Sequence, residues 1–380
     1  MQNEFSEKIQ MVDLKKQYFN IKSAIDLAIH RCLDSANFIK GPQVANFENH
    51  LAEYLDVKYV ISCGNGTDAL QISIMALGLQ PGDEVIIPAF TYVATAEVIG
   101  LLGLIPVMID VDPYTFNINQ ELVAEAITDK TKLVVPVHLF GQCAEMEGIL
   151  SLCNAKGIAV VEDTAQAIGA KYTFDNGKIV SAGAMGDFGT TSFFPSKNLG
   201  CYGDGGAIYT NNSDLARKAR MVANHGQEKK YIHEVIGINS RLDTIQAAIL
   251  NEKLVHLDTY IDNRQKVADY YDRELIGIDA IEIPHRTKES THVFHQYTLK
   301  VSAKLRDDFK EYLNQKGIPS MVYYPIPLNH QKAFQNLGRI VGDLLVTENL
   351  CQQVISLPMH TELTEAELQY ITDAIKIYFI

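Results

Sequence analysis

"IAVVEDTAQAIGA", residues 158–170, is a short apolar run that ends on two carboxylates and passes at once into small residues. An acid at the end of a buried strand is costly unless a cation or hydrogen-bond donors meet it. Glu162 and Asp163 are therefore either satisfied structural acids or partners for a positively charged ligand, of which a protonated pyridine nitrogen is one. Six similar runs surround this one: YVISC (59–63), EVIIP (84–88), IPVMID (105–110), LVVPVHLFG (133–141), TTSFF (190–194) and GAIYT (206–210). Helical patterns at 67–77, 92–101, 119–127, 144–155 and 213–224 separate several of them. Two amphipathic helices, 13–35 and 43–56, come first. Strands alternating with helices predict an α/β fold with a large, mostly parallel sheet covered on both faces. In such a sheet ligands gather at the carboxyl ends of the strands, so the residues that close each run matter most.

After about residue 240 the texture changes. A helical pattern from Asp243 to about Leu275 leads into strands near 292–301, a helix at 304–316 and a last helix from Glu365. This predicts two units, a large domain over 1–255 that includes the N-terminal helices and a smaller α+β domain over 256–380. A net charge of −13 with no basic run argues against a nucleic-acid surface. The polar, mixed-charge start MQNEFSEKIQ does not read as a leader, and the most apolar stretch, 98–109, is too short to span a bilayer. Six scattered cysteines without a C-x-x-C pair predict free thiols and a cytoplasmic protein.

Four strand ends carry unusual residues. Gly64-Asn65-Gly66-Thr67 runs from a strand into a helix and offers free backbone N–H groups and a hydroxyl to a phosphate. The same residues also fit a variant dinucleotide pattern, G-x-G-x-x-A, and an ordinary capped helix start. Tyr92, at the start of the helical pattern after EVIIP, is either a core aromatic or a cofactor stacker. Asp163, with Gln166 behind it, is the third. The fourth is Lys197 in "TTSFFPSKNLGCYGDGGAIYT" (190–210), between Ser192 and a cluster of glycines. A lone lysine is usually a solvated charge, but apolar walls lower its pKa towards the nucleophilic amine. A phosphate cradle, an aromatic, an acid for a pyridinium and a Schiff-base lysine together match the requirements of pyridoxal 5'-phosphate (PLP). His292 and His295, three apart in a predicted strand, point to opposite faces, and metal ligation is poorly supported for any histidine.

At these residues the chain resembles the DegT/DnrJ/EryC1/StrS sugar aminotransferases, within the type I aspartate aminotransferase fold of PLP enzymes. The resemblance runs from "VDLKKQY" (12–18) and "FIKGPQVANFENHLAEYL" (38–55) to "SLPMHTELTEAEL" (356–368). It implies a seven-stranded large sheet. Glu162–Ala170 matches the family's "EDxAQAxGA", which gives Asp163 the pyridine nitrogen and Gln166 the ring hydroxyl. Gly186–Gly206 matches its "GDxxxxSFxxxKxLxxGxGG", which makes Ser192 a phosphate ligand and Lys197 the lysine that holds the cofactor. Gly66 and Thr67 match the phosphate loop and Tyr92 the stacking aromatic.

The segment 237–250 matches one that family members lend to a neighbouring subunit, so Asn239 would reach the partner's cofactor phosphate in a homodimer. Relatives with histidine at the lysine position dehydrate instead of transaminating, and lysine stands here. The stretches 135–146, 224–250 and 317–334 are most similar to the branch that aminates 3-keto nucleotide sugars. They imply UDP-2-acetamido-2-deoxy-3-oxo-glucuronate as substrate, L-glutamate as donor and a role in lipopolysaccharide O-antigen synthesis. Arg241, His225, Tyr231, Tyr323 and Tyr324 are then the implied substrate residues, although the branch often has His-Tyr where this chain has Tyr323-Tyr324. The resemblance leaves 4-keto and dTDP-linked substrates open. A dinucleotide-binding oxidoreductase and a non-catalytic sugar-binding relative are the competing classes.

Overall fold

Residues 9–379 are described by a computed structural model, so residues 1–8, most of the polar start considered above, lie outside the described residues. The apolar runs form a mixed sheet in the spatial order Tyr59–Cys63, Gly206–Thr210, Phe188–Ser192, Ala159–Asp163, Thr131–Val134, Glu84–Pro88, Ile105–Ile109 and Arg339–Ile340. Gly206–Thr210 runs against both its neighbours, and every other pairing is parallel. The sheet therefore has eight strands where seven were expected. The additional one is a two-residue segment from the C-terminal third, paired with Val107 and Met108. Arg339 holds it there by donating Nη2 to Glu84 Oε2 and Ala126 O.

Alternation along each strand sorts its side chains onto two cores, because successive residues point to opposite faces. Val60, Ile86, Val107, Val134 and Val160 join one core with helix Pro42–Leu55. Ile61, Ile87, Met108, Leu133 and Val161 join the other with helix Gly66–Leu77. A third core belongs to a small antiparallel sheet of Ile281–Glu282, Tyr297–Val301 and Val354–Leu357, packed by helices Leu257–Leu275, Arg306–Gln315 and Glu365–Phe379.

Three expectations need correction. The helical pattern from Asp243 to Leu275 is two helices, Thr244–Leu254 and Leu257–Leu275, with a break at Val255 and His256. The chain turns there because the first helix buries its apolar residues in the large core. The second begins in that core at Leu257 and Ile261 and ends in the small one at Tyr271 and Leu275. Tyr92 does not open a helix, since the helix after Glu84–Pro88 is Ala94–Leu101. The strand expected from residue 292 begins only at Tyr297. Phe294 has a φ of +46°, which takes the chain out of extended geometry, so the opposite-faces argument for His292 and His295 lapses and both are buried. Among the described residues no helix is long and apolar enough to cross a membrane.

Candidate active site

The carboxyl ends of the parallel strands open into a cavity of about 650 Å³. Gly66, Thr67, Tyr92, Asp163, Gln166, Ser192, Lys197, Tyr323 and Tyr324 all line it. The strand Ala159–Asp163 explains why the two acids of the opening stretch differ. Glu162 points away from the cavity and is fully buried. Its Oε1 accepts from the amides of Met185 and Gly186, each at 2.7 Å, and its Oε2 accepts from Gly183 N at 2.8 Å and His138 Nε2 at 2.9 Å. His138 Nδ1 accepts from Ala144 N, so the proton of the imidazole lies on Nε2. Glu162 is thus a satisfied structural acid.

Asp163, one residue on, faces the cavity and is 7% exposed. Among the described residues its carboxylate accepts only from Thr95 Oγ1 at 3.2 Å and Ala165 N at 3.0 Å. Burial pushes its carboxyl pKa up, while the amide of Ala165 and the charge of Lys197 pull it down. A buried carboxylate with so few donors wants a cation.

Lys197 sits in the turn after Phe188–Ser192, its backbone amide bonded to Phe194 O. Protein atoms enclose its side chain, yet part of it remains open to the cavity. Burial lowers its amine to a pKa of about 8, against the opposing pull of Asp163. Among the described residues Nζ makes no hydrogen bond or ion pair.

The phosphate end is built on the helix Gly66–Leu77. Asn65 caps it by accepting from Asp68 N at 2.8 Å, which leaves the Gly66 and Thr67 amides of the first turn without intrahelical acceptors. A Cβ on Gly66 would stand 2.7 Å from Ser192 Cβ. Only glycine lets the helix start and the Ser192 hydroxyl approach this closely. Gln166 spans to the far wall: Oε1 accepts from Phe140 N at 2.7 Å and Nε2 donates to Tyr324 Oη at 3.0 Å. Tyr92 is 58% exposed at the rim, its ring 6.3 Å from that of Tyr324.

Four candidates lie elsewhere. Asn239 and Tyr231 are exposed, His225 is exposed at a φ of +59°, and Arg241 lines a separate cavity of about 250 Å³ with Lys40, Arg220 and Ser240. The two cavities are neighbours, because Ser240 Oγ accepts from Gly64 N at 2.8 Å and donates to Asp68 Oδ2 at 2.6 Å. Sequence reasoning missed Thr91, Thr95, His295 and Gln296. Thr91 and Thr95 flank Tyr92 in "FTYVAT" (90–95), but His295 and Gln296 carry no spacing signal that ties them to Lys197.

The DegT/DnrJ/EryC1/StrS aminotransferase family profile matches residues 20–376. The chain belongs to this family. Among its relatives, the UDP-2-acetamido-2-deoxy-3-oxo-D-glucuronate aminotransferase of Pseudomonas aeruginosa is 47% identical over 97% of this chain and 99% of that protein. A pleiotropic regulatory protein of Geobacillus stearothermophilus is 46% identical over 98% of both. The UDP-N-acetyl-3-dehydro-alpha-D-glucosamine 3-aminotransferase of Acidithiobacillus ferrooxidans is 42% identical over 97% of both. A DegT/DnrJ/EryC1/StrS aminotransferase from Brucella abortus superposes with a TM-score of 0.93 at 41% identity, covering 98% of this chain and 99% of that one. NtdA from Bacillus subtilis, solved with bound cofactor PMP, superposes at 0.90 with 33% identity, covering all of this chain and 87% of that one.

Like its family, this DegT-type aminotransferase depends on PLP. The residues present fit the cofactor. Asp163 lacks a cation, Lys197 lacks a partner, the Gly66–Ser192 approach leaves a cradle that a Cβ would fill, and Thr91 Oγ1 is buried against the cavity without a hydrogen-bond partner.

Proposed function

We propose that this aminotransferase converts UDP-2-acetamido-2-deoxy-3-oxo-glucuronate to the 3-amino sugar, with L-glutamate as amino donor. The observation that carries the reading is the near full-length similarity to the Pseudomonas aeruginosa enzyme, together with a cavity that joins Lys197 to Asp163. The cavity volume suits a cofactor and a hexose.

When bound, PLP supplies an electron sink that lets a carbanion form beside the substrate nitrogen. The residues of this chain then have separate tasks. Lys197 Nζ is the group that would hold the cofactor covalently between turnovers. Once free, the amine removes the proton from the donor's α-carbon and later delivers a proton to the sugar carbon that receives nitrogen. Burial lowers this amine to a pKa of about 8 in the cofactor-free chain, the direction a base requires. Asp163 would keep the pyridine nitrogen protonated by pairing with it. The Gly66 and Thr67 amides and the Ser192 hydroxyl would hold the phosphate, Gln166 the ring hydroxyl, and Tyr92 would stack from the rim.

In the division proposed above, residues 1–255 contribute those groups and residues 256–380 close the cavity with Tyr323 and Tyr324. Asn239 and Arg241 lie outside this chain's own cavity, which supports a homodimer in which each serves the partner's site. His225 and Tyr231 would cross with them. The exposed apolar residues Tyr231, Ile232 and Ile236 support the same reading. Arg241 suits a carboxylate, as a planar guanidinium binds one with two parallel hydrogen bonds. The same reading makes the enzyme cytoplasmic, and the amino sugar a precursor of lipopolysaccharide O-antigen.

The test is turnover with L-glutamate on two UDP-linked 3-keto sugars, one with a C6 carboxylate and one with a C6 hydroxymethyl. The carboxylate should be preferred by about tenfold or more in kcat/KM. Equal or reversed preference would move the substrate away from the hexuronate.

A further inference from the structure

The segment 292–296, expected as strand, is instead tied down from two sides. Asn198, the neighbour of Lys197, donates Nδ2 to Val293 O at 3.0 Å. Arg264, from helix Leu257–Leu275, donates Nη1 to Phe294 O at 3.0 Å, to Met359 O at 3.0 Å and to His295 O at 3.4 Å. Between these anchors Phe294 adopts its positive φ, a conformation that an aromatic residue keeps only when its surroundings enforce it. The result places His295 in the cavity wall, within reach of the Lys197 charge.

His295 is 5% exposed, and its Nδ1 is buried without a hydrogen-bond partner. Orphaned buried N–H groups are rarer than bare acceptors, so Nδ1 carries the lone pair and Nε2 the proton. Burial and the charges of Lys197 and Arg264 hold the ring well below the usual imidazole pKa, so it stays neutral. Among the described residues Nε2 also lacks a partner but is not one of the fully buried orphan atoms, and the ring lines the cavity. It is a donor in the same cavity as the reacting amine.

Among the described residues, this chain's own lining of the cavity contains no arginine and Lys197 is its one cation, while Arg241 is assigned above to the sugar's carboxylate across the homodimer. A ping-pong transaminase presents two different substrates to that lysine. The amino acid carries an α-carboxylate on the reacting carbon, and the sugar carries neutral ring substituents there. A guanidinium at this place would be left unpaired each time the sugar bound. A neutral N–H serves both.

We propose that His295 is the substrate-positioning donor common to both half-reactions, with Nε2–H given to the donor's α-carboxylate in one and to a ring-substituent oxygen beside the keto carbon in the other. The proposal rests on the transamination reading above.

The test uses the cofactor-loaded enzyme with His295→Gln, which keeps a donor near the Nε2 position, and His295→Phe and His295→Ala, which remove it. Thermal melting identifies which donor-free variant is folded. Calorimetry with glutarate, a dicarboxylate without an amine, should show its Kd raised about tenfold or more in the donor-free variants and within about threefold of wild type in His295→Gln. Single-turnover loss of the cofactor's visible band with L-glutamate, and its return with the keto sugar, should both slow in the same order. Unchanged glutarate affinity in a folded donor-free variant overturns the proposal, as does a His295→Gln variant as weak as His295→Phe. If the wild-type band does not respond to L-glutamate at all, the transamination reading fails instead, and the glutarate affinities still decide on His295.

Discussion

At the scale of single residues, Lys197 couples chemistry to stability. Its amine titrates at about 8 in the folded, cofactor-free protein, against 10.5 for an ordinary lysine. Between those values the unfolded chain binds a proton that the folded chain does not. The cost of enclosing Lys197 is therefore complete below pH 8 and gone above 10.5, and the stability contribution of this residue rises across that window. Lys253, also lowered to about 8 by burial, adds a rise of the same sign. Urea unfolding of cofactor-free protein at about pH 7.5 and about pH 9.5 should show a smaller gain in Lys197→Met than in wild type. Identical gains would mean that Lys197 is not enclosed as described.

At the scale of an element, the strand Ala159–Asp163 shows how one residue of register separates structure from catalysis. Glu162 gathers three backbone amides and His138 on one face of the sheet, and Asp163 reaches the cavity on the other. Glu162→Gln puts an amide NH₂ against donors that needed a carboxylate. It should destabilise the protein by about 3 kcal/mol, measured by denaturant unfolding, while the folded fraction still binds PLP. Asp163→Asn should leave the unfolding midpoint nearly unchanged and lower kcat by on the order of 10²-fold. Opposite assignments of the two effects would show that the acids had been placed on the wrong faces.

At the scale of the whole molecule, the proposed homodimer makes each active site a composite. Lys197→Ala and Asn239→Ala, each inactive or nearly so alone, should regain activity when unfolded together and refolded as a mixture. About half of the dimers would be mixed, and each of those would carry one site with both native residues. No recovery in the mixture, with both variants shown to be dimers, would place Asn239 in its own chain's site or outside catalysis.

Much of this was legible before any tertiary structure. The alternation of apolar runs with helices gave the mostly parallel sheet, and the run ends at 63–67, 163–166 and 192–197 pointed to the cavity, because strand ends on one edge of a parallel sheet must converge. The pairing of Arg339–Ile340 was not legible, since a two-residue strand has no period and depends on an ion pair with Glu84, distant in sequence. Nor was the break at Val255 and His256, where neither glycine nor proline marks the turn and the division of the helix follows from which core lies nearby. Tyr323 and Tyr324 were reached by resemblance, but only packing puts Tyr324 on Gln166.

His295 is the clearest case. Its placement depends on Asn198 and Arg264, residues that approach from different elements and share no spacing with it. Local sequence, through periodicity and turn chemistry, determined the elements and the chemistry at their ends. Tertiary structure alone decided which acid faces the cofactor pocket and which buried groups lack partners, because both depend on contacts between segments far apart in the chain.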